Sequence, residues 1–449
     1  MADASAAVPL PAGSGETTSA VAPDAGVSDG PSLRLVLALG AMIALGPLTI
    51  DLYLPGLPNI EADLNTTASA VQLTLTGTLI GLAIGQLVVG PVSDAYGRHR
   101  PLYFGTFIHV AASVVCGLAP NIAVLGGARV LQGVGAASTA VVTMAIVRDL
   151  YSGRAAALLL SQLMLVLGVA PVLAPTLGGV VLGLTSWRGL FVVLGLFALF
   201  LIALVKFEIQ ETLPPERRRP GSLSGIAHAY RGLMRDPVFV ALTWVSGLSM
   251  AAMFAYVSGA SFVMQDQFGL DEQQFGFVFG AGSVFLIGGT QLSGKLLNRW
   301  DMRQILFASL VGGSISTGVL LAVALADVGG LPALLGPLWI TLAFTGTAMP
   351  NAPAIALTLH GEAAGSAAAL VGAVRYAVGA VAAPIVGVLG NEAPAMTAVM
   401  FLGTGASLAV LVRGVPEGSG SFDAEHDPVD PEVAELDMEE ATVEVTCTD

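Results

Sequence analysis

Charge is what this 449-residue chain has least of: only 11% of its residues are Asp, Glu, Lys or Arg, while 54% are hydrophobic and mean hydropathy is +0.79. A soluble globular domain carries roughly 25% charged residues, so an ordinary cytosolic enzyme is excluded. Aromatics are also scarce at 6%. Two cysteines, Cys116 and Cys447, are too few and too far apart for a disulfide framework or a metal site. No His-Glu-x-x-His, Gly-x-Ser-x-Gly or Walker-type phosphate loop is present, which argues against an enzyme and against ATP-driven pumping. A basic, apolar leader is missing from residues 1–32, which are rich in Ala, Gly, Pro and Ser and read as a disordered tail.

What is present is apolar and small. There are 55 glycines and 25 prolines, many within long apolar runs, as expected of helices packed closely in lipid. Spans of about 20 residues fall near 33–54, 70–92, 101–119, 122–147, 155–183, 188–207, 237–262, 274–296, 303–325, 331–356, 366–390 and 394–413. A transmembrane barrel would instead alternate in segments of about ten residues. The expected fold class is therefore an all-α polytopic membrane protein with twelve transmembrane helices.

The formal charge of −14 belongs to the ends of the chain. Residues 414–449 hold twelve acids and no Lys or Arg, and 1–32 hold four acids, leaving 18 basic against 16 acidic groups between them. The C-terminal stretch reads as an acidic disordered tail. With both termini cytoplasmic, fifteen of eighteen basic residues fall on the inner side: Arg34, Arg98, Arg100, Arg148, Arg154, Lys206, Arg217, Arg218, Arg219, Arg231, Arg235, Lys295, Arg299, Arg303 and Arg413. The exterior loops take Glu61, Asp63, Asp266, Asp271, Glu272, Asp327 and Glu392. That bias is a positive-inside signal for an even number of spans.

The longest internal break, 208–236, carries Pro214-Pro215 and the run Arg217-Arg218-Arg219, and reads as a solvated cytoplasmic linker that can touch anionic lipid. It separates a half at 33–207 from one at 237–413, six helices each. A faint repeat supports the division: Gly90-Pro91-Val92-Ser93-Asp94 through Arg98 follows the second helix, and Gly294-Lys295-Leu296-Leu297-Asn298-Arg299 the eighth. Paired halves with a site between them are a plan of secondary transporters.

Gly90-x-x-x-Asp94-x-x-Gly97-Arg98 resembles motif A of the major facilitator superfamily. Arg129-Val130-Leu131-Gln132-Gly133 resembles its motif B. Gly168-Val169-Ala170-Pro171, continuing to Pro175-Thr176-Leu177-Gly178-Gly179, resembles its antiporter motif C, with Ala174 where the general pattern usually has Gly. Asp51-Leu52-Tyr53-Leu54-Pro55-x-x-Pro58, Met349-Pro350-Asn351 and Gly361-Glu362-Ala363-Ala364-Gly365 are similar to the bicyclomycin/chloramphenicol-resistance branch. The resemblance covers Leu33 to Arg413. It implies proton-coupled antiport of small drug-like molecules by alternating access. It also implies that Asp94 caps a helix near Ser366 while Arg98 reaches Asp149, latching the cytoplasmic side in the outward-open state. The runner-up reading is a carrier of a metabolite such as a sugar or amino acid, which fold alone does not separate from a drug exporter.

Each motif has its own chemistry. Gly90 removes a side chain where helices are expected to pass closely. Pro171 and Pro175 each lack an N–H and crowd the carbonyl four residues back, predicting a kinked helix, and Gly178 and Gly179 allow close approach. Such a helix can serve as hinge and proton seal. An ionisable group inside a membrane is costly and normally marks a pathway. Asp51, Arg129 and Arg375 qualify. Asp51 lies 17 residues beyond Arg34, about 25 Å along the first helix, and Arg129 eight residues inside Asn121, about 12 Å below the outer face. In a core about 30 Å thick they can lie at similar depth, so Asp51 and Arg129 are the proton-coupling candidates. Tyr53, Gln132, Tyr256, Asn351 and Arg375 are the substrate-cavity candidates, with Gln72, Gln86, His109 and Trp244 weaker ones. No cofactor, metal or nucleic acid is expected. The partners are a small-molecule substrate, protons and the lipid bilayer, and a monomer in a bacterial cytoplasmic membrane is expected; two Lys against sixteen Arg suggest a GC-rich source.

Overall fold

The computed structural model describes residues 32–218 and 223–417, without the side chains at 154, 157, 223, 224, 226 and 362. The readings of both tails, of Arg219, and of the Arg154 and Glu362 side chains fall outside the described residues.

Among the described residues the regular structure is helical throughout. The first half comprises α1 (Leu33–Asp51), α2 (Leu57–Asp63), α3 (Ala68–Tyr96), α4 (His99–Gly117), α5 (Ile122–Leu150), α6 (Gly153–Leu184) and α7 (Arg188–Glu208). The linker contributes α8 (Leu223–Leu233). The second half comprises α9 (Pro237–Phe262), α10 (Glu272–Leu296), α11 (Met302–Ala326), α12 (Gly330–Ala348), α13 (Asn351–Thr358), α14 (Ala364–Val388) and α15 (Ala393–Gly414).

Eleven of these segments are long and apolar enough to cross a membrane, α1 and α2 counting as one span and α12 and α13 as another. The twelfth expected span is α4, a 19-residue helix whose His99, Arg100 and Tyr103 lower its apolarity. It packs against α5 and α7 in the bundle all the same. One expected span is interrupted, the tenth, which stops before Met349-Pro350; the first ends at Asp51, within its expected bounds, and a further short helix, α2, follows Pro55. Proline at the start of a new helix costs nothing there, because the first N–H groups have no intrahelical partner.

Helix starts follow local chemistry. Thr67 and Asn121 cap α3 and α5 through their side chains, and Asp271 with Gln274 forms a capping box on α10. Close packing follows the glycines. A Cβ on Gly81 would run into the Val130 carbonyl, one on Gly133 into the Thr78 carbonyl, and one on Gly85 into Ala137, so α3 and α5 meet backbone to backbone. The counterpart pair in the second half, α10 and α12, meets through Gly289 and Gly346 in the same way. The halves touch chiefly where α3 lies on α14 and where α6 lies on α10.

The bundle is closed at one end only. Polar bonds between the halves cluster at the end holding Glu272 and Asn391. There Asn59 Nδ2 donates to Glu272 Oε1 (3.3 Å), Gln72 Nε2 to Asn391 Oδ1 (2.7 Å), Thr76 Oγ1 to the Ala380 carbonyl (2.9 Å) and Ser261 Oγ to the Leu54 carbonyl (2.7 Å). At the opposite, arginine-rich end the halves separate around a cavity.

Candidate functional site

The cavity has a volume of roughly 710 Å³ and is lined by both halves. Asp94, Arg148 and Gly365 are exposed at its mouth, and Gly46, Pro47, Leu82, Gln86, Arg375 and Tyr376 line it further in. Pro47 lies within α1, where its missing N–H frees the Ile43 carbonyl; both residues face the cavity.

Asp51 lies four residues past Pro47, one helical turn or about 6 Å beyond the cavity floor on the same face. It is 7% exposed and forms no ion pair among the described residues. The second-half group within its electrostatic reach is Tyr256 of α9, stacked on Phe279 (centroids 5.1 Å apart) with its hydroxyl unpartnered among the described residues.

Arg129, the expected partner of Asp51, points elsewhere. Its guanidinium is fully buried behind α1, 4.4 Å from the Tyr53 ring centre, and donates to the Thr49 carbonyl (3.0 Å) and to Gln132 Oε1 (2.8 Å). Thr49 is in the last turn of α1, where carbonyls lack intrahelical donors and the helix dipole favours a cation. Arg129 therefore holds the end of α1, two residues from Asp51, through the backbone rather than by a charge pair. Gln132 Nε2 extends the network to Ser113 (2.8 Å), and His109 joins it through Thr49 Oγ1 (2.9 Å).

Of the five expected cavity residues, only Arg375 lines the cavity. Tyr53 is buried under Arg129 with its hydroxyl on Thr74 (2.8 Å), Gln132 serves Arg129, and Tyr256 is sealed above the floor. Asn351 donates to Ser293 Oγ (3.0 Å) and to the Thr347 carbonyl (2.7 Å), tying the start of α13 to α10 and α12. Tyr53, Gln132 and Asn351 thus satisfy buried polar groups, the usual condition of a polar residue inside a bundle. Trp244 is exposed on the outer face of α9, and Gln72 belongs to the closed end.

At the mouth, Arg98 makes a bidentate contact with Asp149 (Nε–Oδ2 2.7 Å, Nη2–Oδ1 3.1 Å) and reaches Asp94 (2.6 Å) and Ser93 Oγ (2.8 Å). The expected cap of a helix near Ser366 by Asp94 is absent: Asp94 turns to Arg98, its side chain is 59% exposed, and Ser366 lines the same cavity from the other half. The cause is the open mouth. The same opening corrects the reading of Gly90, where a Cβ would meet only Val141 at an ordinary 3.9 Å.

The linker is not simply solvated. Glu211 accepts from the backbone N–H groups of Arg98 (2.8 Å), His99 (3.2 Å) and Leu213 (3.1 Å), and Thr212 Oγ1 donates to Asp149 (2.7 Å). Gly97 turns the chain from α3 to α4 at φ +90°, and a Cβ there would strike the Glu211 carboxylate. Burial favours the protonated form of Glu211, but the three N–H donors and the charge of His99 outweigh it and hold the carboxyl below its ordinary range. Tyr230 of α8 crosses the mouth and donates to the Leu87 carbonyl of α3 (3.4 Å), while α8 packs on α14. Sequence reasoning missed Glu211, Thr212, Tyr230 and Tyr376. For the first two the signal was an acid and a hydroxyl separated by Leu213 from the prolines of the linker; Tyr376 directly follows Arg375.

Motif C packs between the halves. Pro175 has no N–H for the Pro171 carbonyl, and Ser283 Oγ of α10 donates to that carbonyl instead (3.3 Å). Gly179 lies against the Glu272 backbone, and Gly276 of α10 against Pro175 and Thr176. Helix α6 runs unbroken through both prolines.

Two helical halves enclosing a cavity open at one end define a membrane transporter. The chain belongs to the Major Facilitator Superfamily, whose family model matches residues 37–384. It is 38% identical over 372 residues to the MFS-type transporter YdgK of Bacillus subtilis, covering 82% of this chain and 92% of that protein. It is 31% identical to the bicyclomycin resistance protein homolog of Haemophilus influenzae (78% and 88% covered) and 31% identical to a chloramphenicol resistance protein of Pseudomonas aeruginosa (79% and 83%). These relatives support the bicyclomycin/chloramphenicol-resistance branch. The crystal structure of a D-xylose-proton symporter shares the fold at TM-score 0.70 and 16% identity, covering 86% of this chain and 98% of that one.

Proposed function

We propose that this transporter exports small drug-like molecules across the bacterial cytoplasmic membrane in exchange for protons, by alternating access. The carrying observation is the cavity open at the arginine-rich end with Asp51 one turn beyond its floor. The positive-inside bias makes that end cytoplasmic and both termini cytoplasmic, so the described state is inward-open. A substrate enters from the cytoplasm. Rocking of the halves about the α3–α14 and α6–α10 contacts closes the mouth and brings Asp94 towards Ser366. The bonds of Gln72, Asn59 and Ser261 then part, exposing Asp51 and Tyr256 to the outside.

Asp51 is suited to proton exchange because it is a buried carboxylate at the interface with no cation paired to it among the described residues. Proton binding from the outside favours substrate release there, and proton loss to the cytoplasm resets the carrier. A ligand shifts such an equilibrium only through its differential affinity for the two states. Arg129 keeps the end of α1 in place, and α6 with its Ser283 contact seals the path between the halves. The two halves at 33–207 and 237–413 are the moving bodies, with 208–236 tethering them, and one chain suffices.

The test is drug efflux from proteoliposomes with an imposed pH gradient. Asp51→Asn keeps the shape and hydrogen bonding of the protonated acid but cannot release a proton. It is expected to bind substrate and to lose at least tenfold of its gradient-driven efflux. Wild-type rates with unchanged pH dependence would overturn Asp51 as the coupling group. Loss of gradient dependence in the wild type itself would overturn proton coupling.

A further inference from the structure

Past its mouth, the cavity is lined by one ionisable charge among the described residues, and that charge is positive. Arg375 lies eleven residues into α14, about 17 Å from the start of the helix. Among the described residues its Nε is buried without a hydrogen-bond partner and it forms no ion pair, and it borders the main cavity together with two smaller ones beside it. Arg375 is half-buried, with its Nε closed off from the cavity it borders; a guanidinium so placed normally has a carboxylate or several carbonyls on its donors, because leaving them unmet is costly. Asp94, the acid at the same cavity, is at the mouth and engaged by Arg98.

The surroundings of Arg375 suit a ligand. Gly372, one turn before it, leaves room for Gln86 to reach across from α3; a Cβ there would lie 3.1 Å from the Gln86 Oε1. Gln86 therefore lies beside Arg375 from the opposite half, and both line the main cavity and the 250 Å³ recess next to it. Tyr376 completes the wall. Around these polar groups Leu82, Pro47 and Ile43 supply apolar surface. A planar cation, a carboxamide and an apolar floor fit an amphipathic molecule with an anionic oxygen group at one end.

We propose that Arg375 is the substrate-anchoring residue and selects molecules bearing a carboxylate or similar anionic group over their neutral and cationic counterparts. This rests on the cavity being the substrate site of the proposed exporter, and it adds the class of substrate. Arg375 and Gln86 come from different halves, so a carboxylate bridging them would be gripped in the inward-open state and released when α3 and α14 shift. Export of an anion against an entering proton moves negative charge out and positive charge in. Transport of such a substrate is thus driven by the membrane potential as well as by the pH difference.

The test uses the purified full chain in detergent without any gradient, so it does not depend on proton coupling. Binding of three matched acid and primary-amide pairs (1-naphthoate, nalidixate and a coumarin carboxylate) is measured by equilibrium dialysis, with tetraphenylphosphonium as the cation. The wild type is expected to bind at least one acid about tenfold more tightly than its amide, a charge-assisted bidentate contact supplying the difference. Arg375→Gln should erase that preference, and Arg375→Lys should keep part of it. A second readout needs no variant: phenylglyoxal modification of Arg375 in the wild type, followed by mass spectrometry, should be slowed by the bound acid and not by the amide. Equal affinity for acid and amide, binding of none of the acids, tighter binding of the phosphonium, or a preference unchanged in Arg375→Gln overturns the assignment. If Asp51→Asn still pumps normally while the acid preference holds, only the coupling reading falls.

Discussion

At the scale of single residues, the mouth of the cavity is held by charge meeting backbone. Glu211 takes the first amides of α4 on one carboxylate, and Thr212 beside it supports the Arg98–Asp149 pair. Hydrogen bonds to a charged group contribute about 1.5–3 kcal/mol each at most, and less where water competes. Glu211→Gln is therefore expected to free this stretch, so that trypsin cuts after Arg217 or Arg218 several times faster; equal rates would refute the contact. The pH dependence has a defined sign. The carboxyl titrates below its ordinary range in the folded protein, so its contribution is fully present above the ordinary glutamate pKa and is lost as pH falls through the lowered value. Amide protection at 211–213 should be flat between pH 7 and pH 5 and drop only in stronger acid. Loss of protection already at pH 6 would assign the linker contact to another group.

At the scale of elements, the helices pack by the absence of side chains. Gly77, Gly81 and Gly85 fall one turn apart on α3 and face Gly126, Gly133 and Ala137 of α5 in turn. A Gly→Ala change in an unhindered helix interior stabilises by up to about 1 kcal/mol, because it reduces the freedom of the unfolded chain. Gly127 of α5 has nothing within 4 Å of an added Cβ, whereas Gly81 has the Val130 carbonyl in its way. Gly127→Ala should leave the melting temperature in detergent unchanged or slightly raised. Gly81→Ala should lower it by several degrees, since backbone cannot move aside as a flexible side chain can. Comparable melting of the two variants would show that α3 and α5 are not held in backbone contact. The helices themselves were legible in the apolar runs. The interruption at Met349-Pro350 was not, because apolarity continues past the point where the backbone turns.

At the scale of the whole molecule, the polar bonds between halves cluster at one end, and a single cross-link should trap the state. Asn59 and Glu272 come from opposite halves and are joined by a 3.3 Å hydrogen bond. Asn59→Cys with Glu272→Cys, made in a chain with Cys116 and Cys447 replaced, should be joined by a short reducible bis-methanethiosulfonate linker and stop efflux at least tenfold, with recovery on reduction. Cross-linked protein that still transports would show that this end does not need to open.

The sequence by itself determined the class of this protein: length and apolarity of its runs require membrane helices. It also brought Arg98 and Asp149 into question correctly as a pair, since a motif in register carries that much. Only the tertiary structure decided which polar residues face the cavity. Asp51 and Arg129 lie at comparable depth, yet Arg129 turns behind α1 to the Thr49 carbonyl. Tyr53, Gln132, Tyr256 and Asn351 look like cavity residues in a linear reading, but each lies away from the cavity wall. The reason is geometric: a run of apolar residues fixes that a helix forms, whereas its rotation about its own axis is set by where glycines let neighbours approach. Gly81 against Val130 and Gly179 against Glu272 set that rotation for α3 and α6. The α3 contact places Gln86 on the cavity wall, and Gly379 of α14 against Phe254 does the same for Arg375.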